Sequence, residues 1–357
     1  LNARALNFAG LAIVGVLGIA FLLLAPRFAD LDTVLELTVY MIMAILALSL
    51  ALVWGYGGIL CFGQSAFFGL GAYTYAIVMF NIGDSTIPFL MAIAAPAAFA
   101  ALLGYFIFYG RISDVYLGVI TLTVTLILFN SVNSTAGPEF HIGAAKLGGF
   151  NGIPGIPSLN IPGDKNAQID LEGMFYLSTA LLLATYFGLR LLLASHFGRI
   201  IVGIRENERR AELLGYDPRA YKLATFVIGA ALAGLAGCLF ANWGSFVSPT
   251  IFGLAQSAQI IIWVIVGGRG TLIGPIVGCI GIQWLSAFLG ANQPTGSGSW
   301  AGLLSNAPLI LGAILIAFVL LVPRGLLPTL GDWGQALMRP RAREATPAAR
   351  AIPAGKE

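Results

Sequence analysis

GRIIVGIRENERRAELLGYDPRAYK, from Gly198 to Lys222, is a dense charged segment in a chain that is otherwise almost uncharged. It carries Arg199, Arg205, Glu206, Glu208, Arg209, Arg210, Glu212, Asp217, Arg219 and Lys222, with long apolar runs on both sides. A short polar helix between two membrane spans is a docking surface exposed to water. Asn207 to Leu214 has helix-compatible composition, Gly215 suits the C-terminal cap, and Pro218 cannot continue the helix. Glu206 and Arg210 sit at i and i+4 in the favourable order. A loop that only obeyed the positive-inside rule would need Lys and Arg alone. Glu206, Glu208 and Glu212 are surplus to that need, and mixed charge suits a specific protein groove.

The rest of the chain is apolar. Of 357 residues, 58% are apolar and 10% charged, with mean hydropathy +0.88. A soluble domain carries about a quarter charged residues. Continuous apolar runs of about 20 residues indicate membrane helices, whereas a barrel would show alternating segments of about 10. The expected fold is an all-helical polytopic bundle of about ten transmembrane spans with a short polar cytoplasmic helix at the charged segment. The spans are Phe8–Ala25, Leu35–Trp54, Ile59–Phe80, Ile87–Tyr109, Val115–Asn133, Met174–Ala194, Tyr221–Asn242, Leu254–Val266, Thr271–Leu289 and Asn306–Val322. Leu254–Val266 is short for a crossing: it is tilted, re-entrant or broken at Gly267-Gly268. Residues 1–337 form one membrane domain, with the segment 198–222 inside it. Residues 338–357, rich in Ala, Pro and Arg, read as a disordered cytoplasmic tail. No cleavable signal peptide is read near Leu1.

With the N-terminus inside and the spans alternating, Arg27, Lys146 and Lys165 fall outside and the other sixteen of the nineteen Lys and Arg fall inside. Both termini are therefore expected in the cytoplasm. The same rule accounts for the net charge of +3 without nucleic acid. Between Ser134 and Gly173 the outer segment LGGFNGIPGIPSLNIPGD (Leu147–Asp164) excludes a regular helix or a central strand. Its length favours a function or a small folded cap. WGYGGILCFGQSAFFGLGAY (Trp54–Tyr73) and VGGRGTLIGPIVGCIG (Val266–Gly281) are both Gly-rich turns leading into spans with small residues, a weak internal repeat.

No Asp, Glu, Lys or Arg lies deep in a span, which argues against an ion-coupled carrier. Cys61, Cys238 and Cys279 lie in apolar runs, and neither disulfide nor metal is expected. GGRGTLIG (Gly267–Gly274) lacks the Lys-Ser/Thr end of a phosphate loop, so the chain is not expected to hydrolyse ATP. His141 and His196 have no nucleophile elbow nearby, which leaves a membrane hydrolase without its parts. Gln64, Ser65, Thr121 and Thr123 are the pathway candidates. Each Thr also reads as a hydroxyl bonded back to its own helix, and Gln64 as an amide bridging helices.

GYGGILCFGQSAFFGLGAY, YLGVITLT (Tyr116–Thr123), LGGFNGIPGIP, the charged segment running on to Phe240, and VGGRGTLIGPIVG resemble, in this order, the membrane permease subunits of branched-chain amino acid ABC importers. The match is to the longer permease type and runs from about Tyr40 to Leu327. It implies a second permease chain, two cytoplasmic ATPase subunits that carry ATP and Mg, an external solute-binding protein, and a bacterial plasma (inner) membrane. It also implies that the charged segment is a cytoplasmic coupling helix that seats on an ATPase through Arg205, Glu206, Asn207, Glu208, Ala211 and Gly215. The substrate is expected to be a branched-chain or other apolar amino acid. IWVIVGGRGTL (Ile262–Leu272) looks close to the urea and short-amide branch of the same family, which stays an alternative. A stand-alone carrier or channel, or a structural scaffold, are the readings from other classes.

Overall fold

The computed structural model describes residues 3–28, 30–137, 139–160 and 167–291, with isolated positions at 312, 325 and 329. Its spine is helical: α1 (Ala3–Phe28), α2 (Leu31–Leu50), α3 (Gln64–Ile82), α4 (Thr86–Tyr109), α5 (Asp114–Asn133), α6 (Leu171–Ala194), α7 (His196–Glu206), α8 (Glu208–Leu213), α9 (Pro218–Gly244), α10 (Leu254–Gly267) and α11 (Ile273–Ala291). Among the described residues, seven helices are long and apolar enough to cross a membrane. Val14–Phe28 and Leu254–Gly267 are shorter apolar helices. The expected span Asn306–Val322 and the tail 338–357 lie outside the described residues.

The helices α2, α3 and α9 form the buried centre, and α4 packs along α3 and α9. Small residues set this geometry. A side chain at Gly71 would meet the backbone of Gly234, and one at Gly237 would meet the carbonyl of Phe68. A side chain at Gly234 would strike Ala92 and Pro96 of α4. Where lipid is as apolar as leucine, such close backbone approach supplies the packing that holds helices together. The hairpin of α10 and α11 uses the same device: Gly267, Gly274 and Gly278 bring the two backbones together near Trp263.

One span differs from the sequence-based expectation, and another is as short as expected. The expected span Ile59–Phe80 becomes a helix only at Gln64. Residues 57–63 are non-helical and largely buried, with Gly58 at φ +70°. Such backbone is tolerated at membrane depth only inside protein that satisfies it. Here Gly57, Gly58 and Ile59 donate to Leu52, Trp54 and Val53 carbonyls, and the Phe62 N–H donates to Thr121 Oγ1 at 3.2 Å. The other is α10, which spans about 21 Å at the ordinary rise. It ends at Gly267 because Gly268, at φ +108°, turns the chain. A 3₁₀ turn, Pro249–Phe252, with Pro249, Ile251 and Phe252 buried, leads into it.

The two ends of the bundle are unlike. One carries α7 and α8, just before α9. At the far end of α9 lies a folded cap. It is built from the hairpin of β1 (His141–Ile142) and β2 (Ala145–Lys146), and from β3 (Ile153–Pro154) paired with β4 (Phe246–Val247). Ile153, Ile156 and Leu159 are buried beneath it. Two amides pin it to the α3–α4 turn. Asn81 donates to the Ile142 carbonyl and accepts from Ala144 N, while Asn160 Oδ1 accepts from Ser85 N at 2.7 Å.

A Gly71→Leu substitution should cost more than about 2 kcal/mol by overpacking the α3–α9 seam. Gly188→Leu, on α6 with open space beside it, should stay within about 0.5 kcal/mol. Thermal unfolding of the detergent-purified variants checks the contrast.

Candidate functional site

Asn207 divides the charged segment into two helices. Its backbone is extended (φ −159°, ψ 98°) and its Oδ1 accepts from Arg210 N at 2.9 Å, an N-cap for α8. Gly215, at φ +89°, turns the chain out of α8, and Asp217 caps α9 through the Arg219 N–H. The expected single helix over Asn207–Leu214 is therefore α8 with Asn207 as its cap. The break also separates Glu206 from Arg210, so they are not an i, i+4 pair on one helix. Glu206 instead accepts from the adjacent Arg205, Nε to Oε1 at 3.1 Å.

Ile200, Ile201 and Ile204 form the buried face of α7, packed with Phe197, Tyr216, Tyr221 and Ala211. Ala211 is only 6% exposed. It is thus an internal contact between α7 and α8, and of the six residues expected to seat the segment on an ATPase it is the buried one. Glu208 is paired within the chain, with Lys222 Nζ at 2.6 Å. Arg205, exposed like Glu206, Asn207 and Glu208, also reaches back into the chain: its guanidinium donates to the Gly55 carbonyl at 2.5 Å, at the end of the π-helix Ala51–Tyr56 that continues α2. What the segment does present to water is Leu213 (84% exposed) and Leu214 (70% exposed), amid Arg209, Arg210 and Glu212. The residue list drawn from the sequence omitted both leucines. The signal was available: two adjacent leucines stand out in a run that is otherwise mostly charged.

Two clefts flank these leucines. One, of about 400 Å³, lies between α7 and α8 and is lined by His196, Arg199, Glu206, Arg210, Leu214 and Tyr216. The other, of about 380 Å³, lies between the α4–α5 turn and α8–α9, with Arg111, Glu208, Glu212, Arg219 and Lys222 on its walls. Knobs, grooves and charges of both signs make this end a surface fit for a folded protein partner.

The pathway candidates do not form one group. Gln64, at 2% exposure, donates through Nε2 to Ser49 Oγ at 2.8 Å and to the Gly229 carbonyl at 3.2 Å, joining α2, α3 and α9. Among the described residues its Oε1 has no partner. Ser65 Oγ lies 2.5 Å from Ser257 Oγ and ties α3 to α10. Thr121 donates to the Gly118 carbonyl and accepts from Phe62, as described above. Thr123 is exposed, on another face of α5, and donates to the Val119 carbonyl.

A model of the branched-chain amino acid transport system permease component matches residues 33–320. The chain belongs to the branched-chain amino acid transport permease family. A high-affinity branched-chain amino acid transport system permease protein LivM of Escherichia coli K12 is 30% identical over 341 residues, covering 87% of this chain and 74% of that protein. The LivM protein of Salmonella typhimurium is 30% identical over 319 residues, covering 82% and 69%. The LivH permease of Salmonella typhimurium is 28% identical over 133 residues, covering 37% of this permease and 40% of LivH. No solved structure matches the permease significantly. The seven long apolar helices and the family together make it a multi-pass membrane protein.

The two roles open to Gln64 separate experimentally. Because its amide is committed to Ser49 and Gly229, Gln64→Leu should lower the stability of the purified permease by about 1–2 kcal/mol. Unaltered stability with slow uptake would instead place Gln64 on a pathway. Denaturation in detergent, followed beside uptake in vesicles, reads both.

Proposed function

We propose that this chain is a permease subunit of an ATP-driven importer for branched-chain or other apolar amino acids. The family match over residues 33–320, with relatives named for this transport along most of the chain, is the observation that carries the reading. Those relatives favour the amino-acid branch over the urea branch suggested by Ile262–Leu272. Likeness to both LivM and LivH supports pairing with a second, shorter permease, with a pathway at their interface.

In this reading the bundle has about ten spans, the tenth at Asn306–Val322, and sits in a bacterial plasma membrane with both termini in the cytoplasm. The end with α7 and α8 then faces the cytoplasm and the cap faces outside, where a solute-binding protein delivers substrate. Two ATPase subunits carry ATP and Mg; this chain binds neither. Closure of the ATPases pushes on the α7–α8 segment. The chain's own work is to stabilise outward- and inward-facing conformers to different degrees. Leu213 and Leu214 are the apolar anchors of that contact, and the surrounding charges set its specificity.

Cysteine placed at Phe150, exposed on the cap, should react with an impermeant thiol reagent only from outside, and cysteine at Leu213 only from inside. The native Cys61, Cys238 and Cys279 are buried and give little background. The reverse pattern would overturn the topology. Leu213→Asp with Leu214→Asp should lower ATPase co-purification at least tenfold, since each anchor is worth upwards of about 1 kcal/mol. ATP-dependent leucine uptake by the reconstituted parent, lost without the binding protein, tests the function itself.

A further inference from the structure

Three segments far apart in sequence meet at the last turn of α2. The turn is π-helical, with Gly57 N–H reaching back to the Leu52 carbonyl. Like every helix end, it leaves carbonyls without helical partners and carries partial negative charge. Arg205 of α7 donates to one of them, on Gly55. Tyr56 Oη donates to the Gly270 carbonyl in the α10–α11 turn at 3.0 Å. Arg269 of that turn lies over the Trp54 ring, 4.8 Å from its centroid. The fit is close: a side chain at Gly58 would come within 2.7 Å of Arg205 Cγ, and one at Gly55 within 3.3 Å of Gly270 N.

We propose that Arg205 is a positioning residue of the transport cycle. It locks α7 and α8 to the π-turn of α2, and through Tyr56 and Trp54 to the α10–α11 turn, so that a push on α8 moves α2 and the α10–α11 hairpin as one unit. This rests on the importer reading above. It also reassigns Arg205, which the sequence placed among residues touching the ATPase. The planar fork is essential. One arm reaches Gly55 while Nε and the other arm hold the Glu206 carboxylate, an arrangement a lysine ammonium does not reproduce.

The test uses the full complex of both permeases, ATPases and binding protein in proteoliposomes, and reads ATPase content and substrate taken up per ATP hydrolysed. Arg205→Ala should keep the ATPases bound and lower uptake per ATP about tenfold, as expected for one charge-assisted hydrogen bond lost from the transmitting contact. Arg205→Lys should fall between Ala and the parent. Tyr56→Phe should act in the same direction, and its effect should shrink in the Arg205→Ala background because both bonds serve one latch. Parental uptake per ATP in the surviving complex would overturn the proposal, as would loss of the ATPases from Arg205→Ala and Arg205→Lys alike, the mark of a docking residue. If Arg205→Ala fails to assemble, Arg205→Lys and Tyr56→Phe carry the same readout. Failure of the importer reading is distinct: the parent complex itself would show no ATP-dependent uptake.

Discussion

Gly71 and Gly234 let α3 and α9 touch backbone to backbone, and every other position in the bundle is measured from that contact. It brings the N-terminal end of α3 close enough for Gln64 to reach Gly229 on one side and Ser49 on the other. It leaves the non-helical stretch 57–63 enclosed, so that the backbone there can be satisfied by α2 and by Thr121 rather than by water. A membrane offers exposed N–H and C=O groups no partner. The interruption before α3 is therefore possible only because neighbouring helices surround it.

The same scarcity of partners governs the hydroxyls. Thr38, Thr121, Thr123, Thr125 and Ser178 each donate to a carbonyl three or four residues back on their own helix. A hydroxyl bonded this way is satisfied wherever the helix lies, in lipid or in the core. It therefore carries little information about a pathway. Gln64 and the Ser65–Ser257 pair differ because their partners lie on other helices, which makes them fasteners between spans.

What the sequence disclosed follows the strength of each physical signal. The spans of α2, α4, α5, α6, α9 and α11 were legible because the bilayer demands about twenty apolar residues in a row. The segment Ser134–Gly173 was legible as neither regular helix nor central strand from its Gly and Pro content, and its length left a small folded cap as one of two readings. The late start of α3 was not, because Ile59–Phe62 is as apolar as the helix that follows. Within the charged segment, the cap chemistry of Asn207 competed with its helix-compatible neighbours and won, which undid the Glu206–Arg210 pairing. Composition also hid the direction each side chain takes. Ala211 stands in a polar run yet points inward, while Leu213 and Leu214 are apolar yet point to water. Thr121 and Thr123 fall two residues apart, which on a helix places them on different faces.

The latch at the end of α2 suits a device that must both hold and move. Taking a two-state equilibrium from 1:99 to 99:1 requires about 5.5 kcal/mol of differential interaction. A charge-assisted hydrogen bond contributes about 1.5–3 kcal/mol, and a partly exposed cation over an aromatic ring about 1 kcal/mol. No single contact among Arg205–Gly55, Tyr56–Gly270 and Arg269–Trp54 is of the size required; with about 0.5–1.5 kcal/mol for the neutral Tyr56–Gly270 bond, the three together come to about 3–5.5 kcal/mol, the larger part of it. Spreading the interaction over three contacts has a further consequence. No single weak contact has to carry the displacement, and their common seat on one π-turn lets the three segments move together. A bundle held elsewhere by glycine contacts with no slack would transmit such a displacement along α2 toward Ser49 and Gln64, where α2, α3 and α9 are joined.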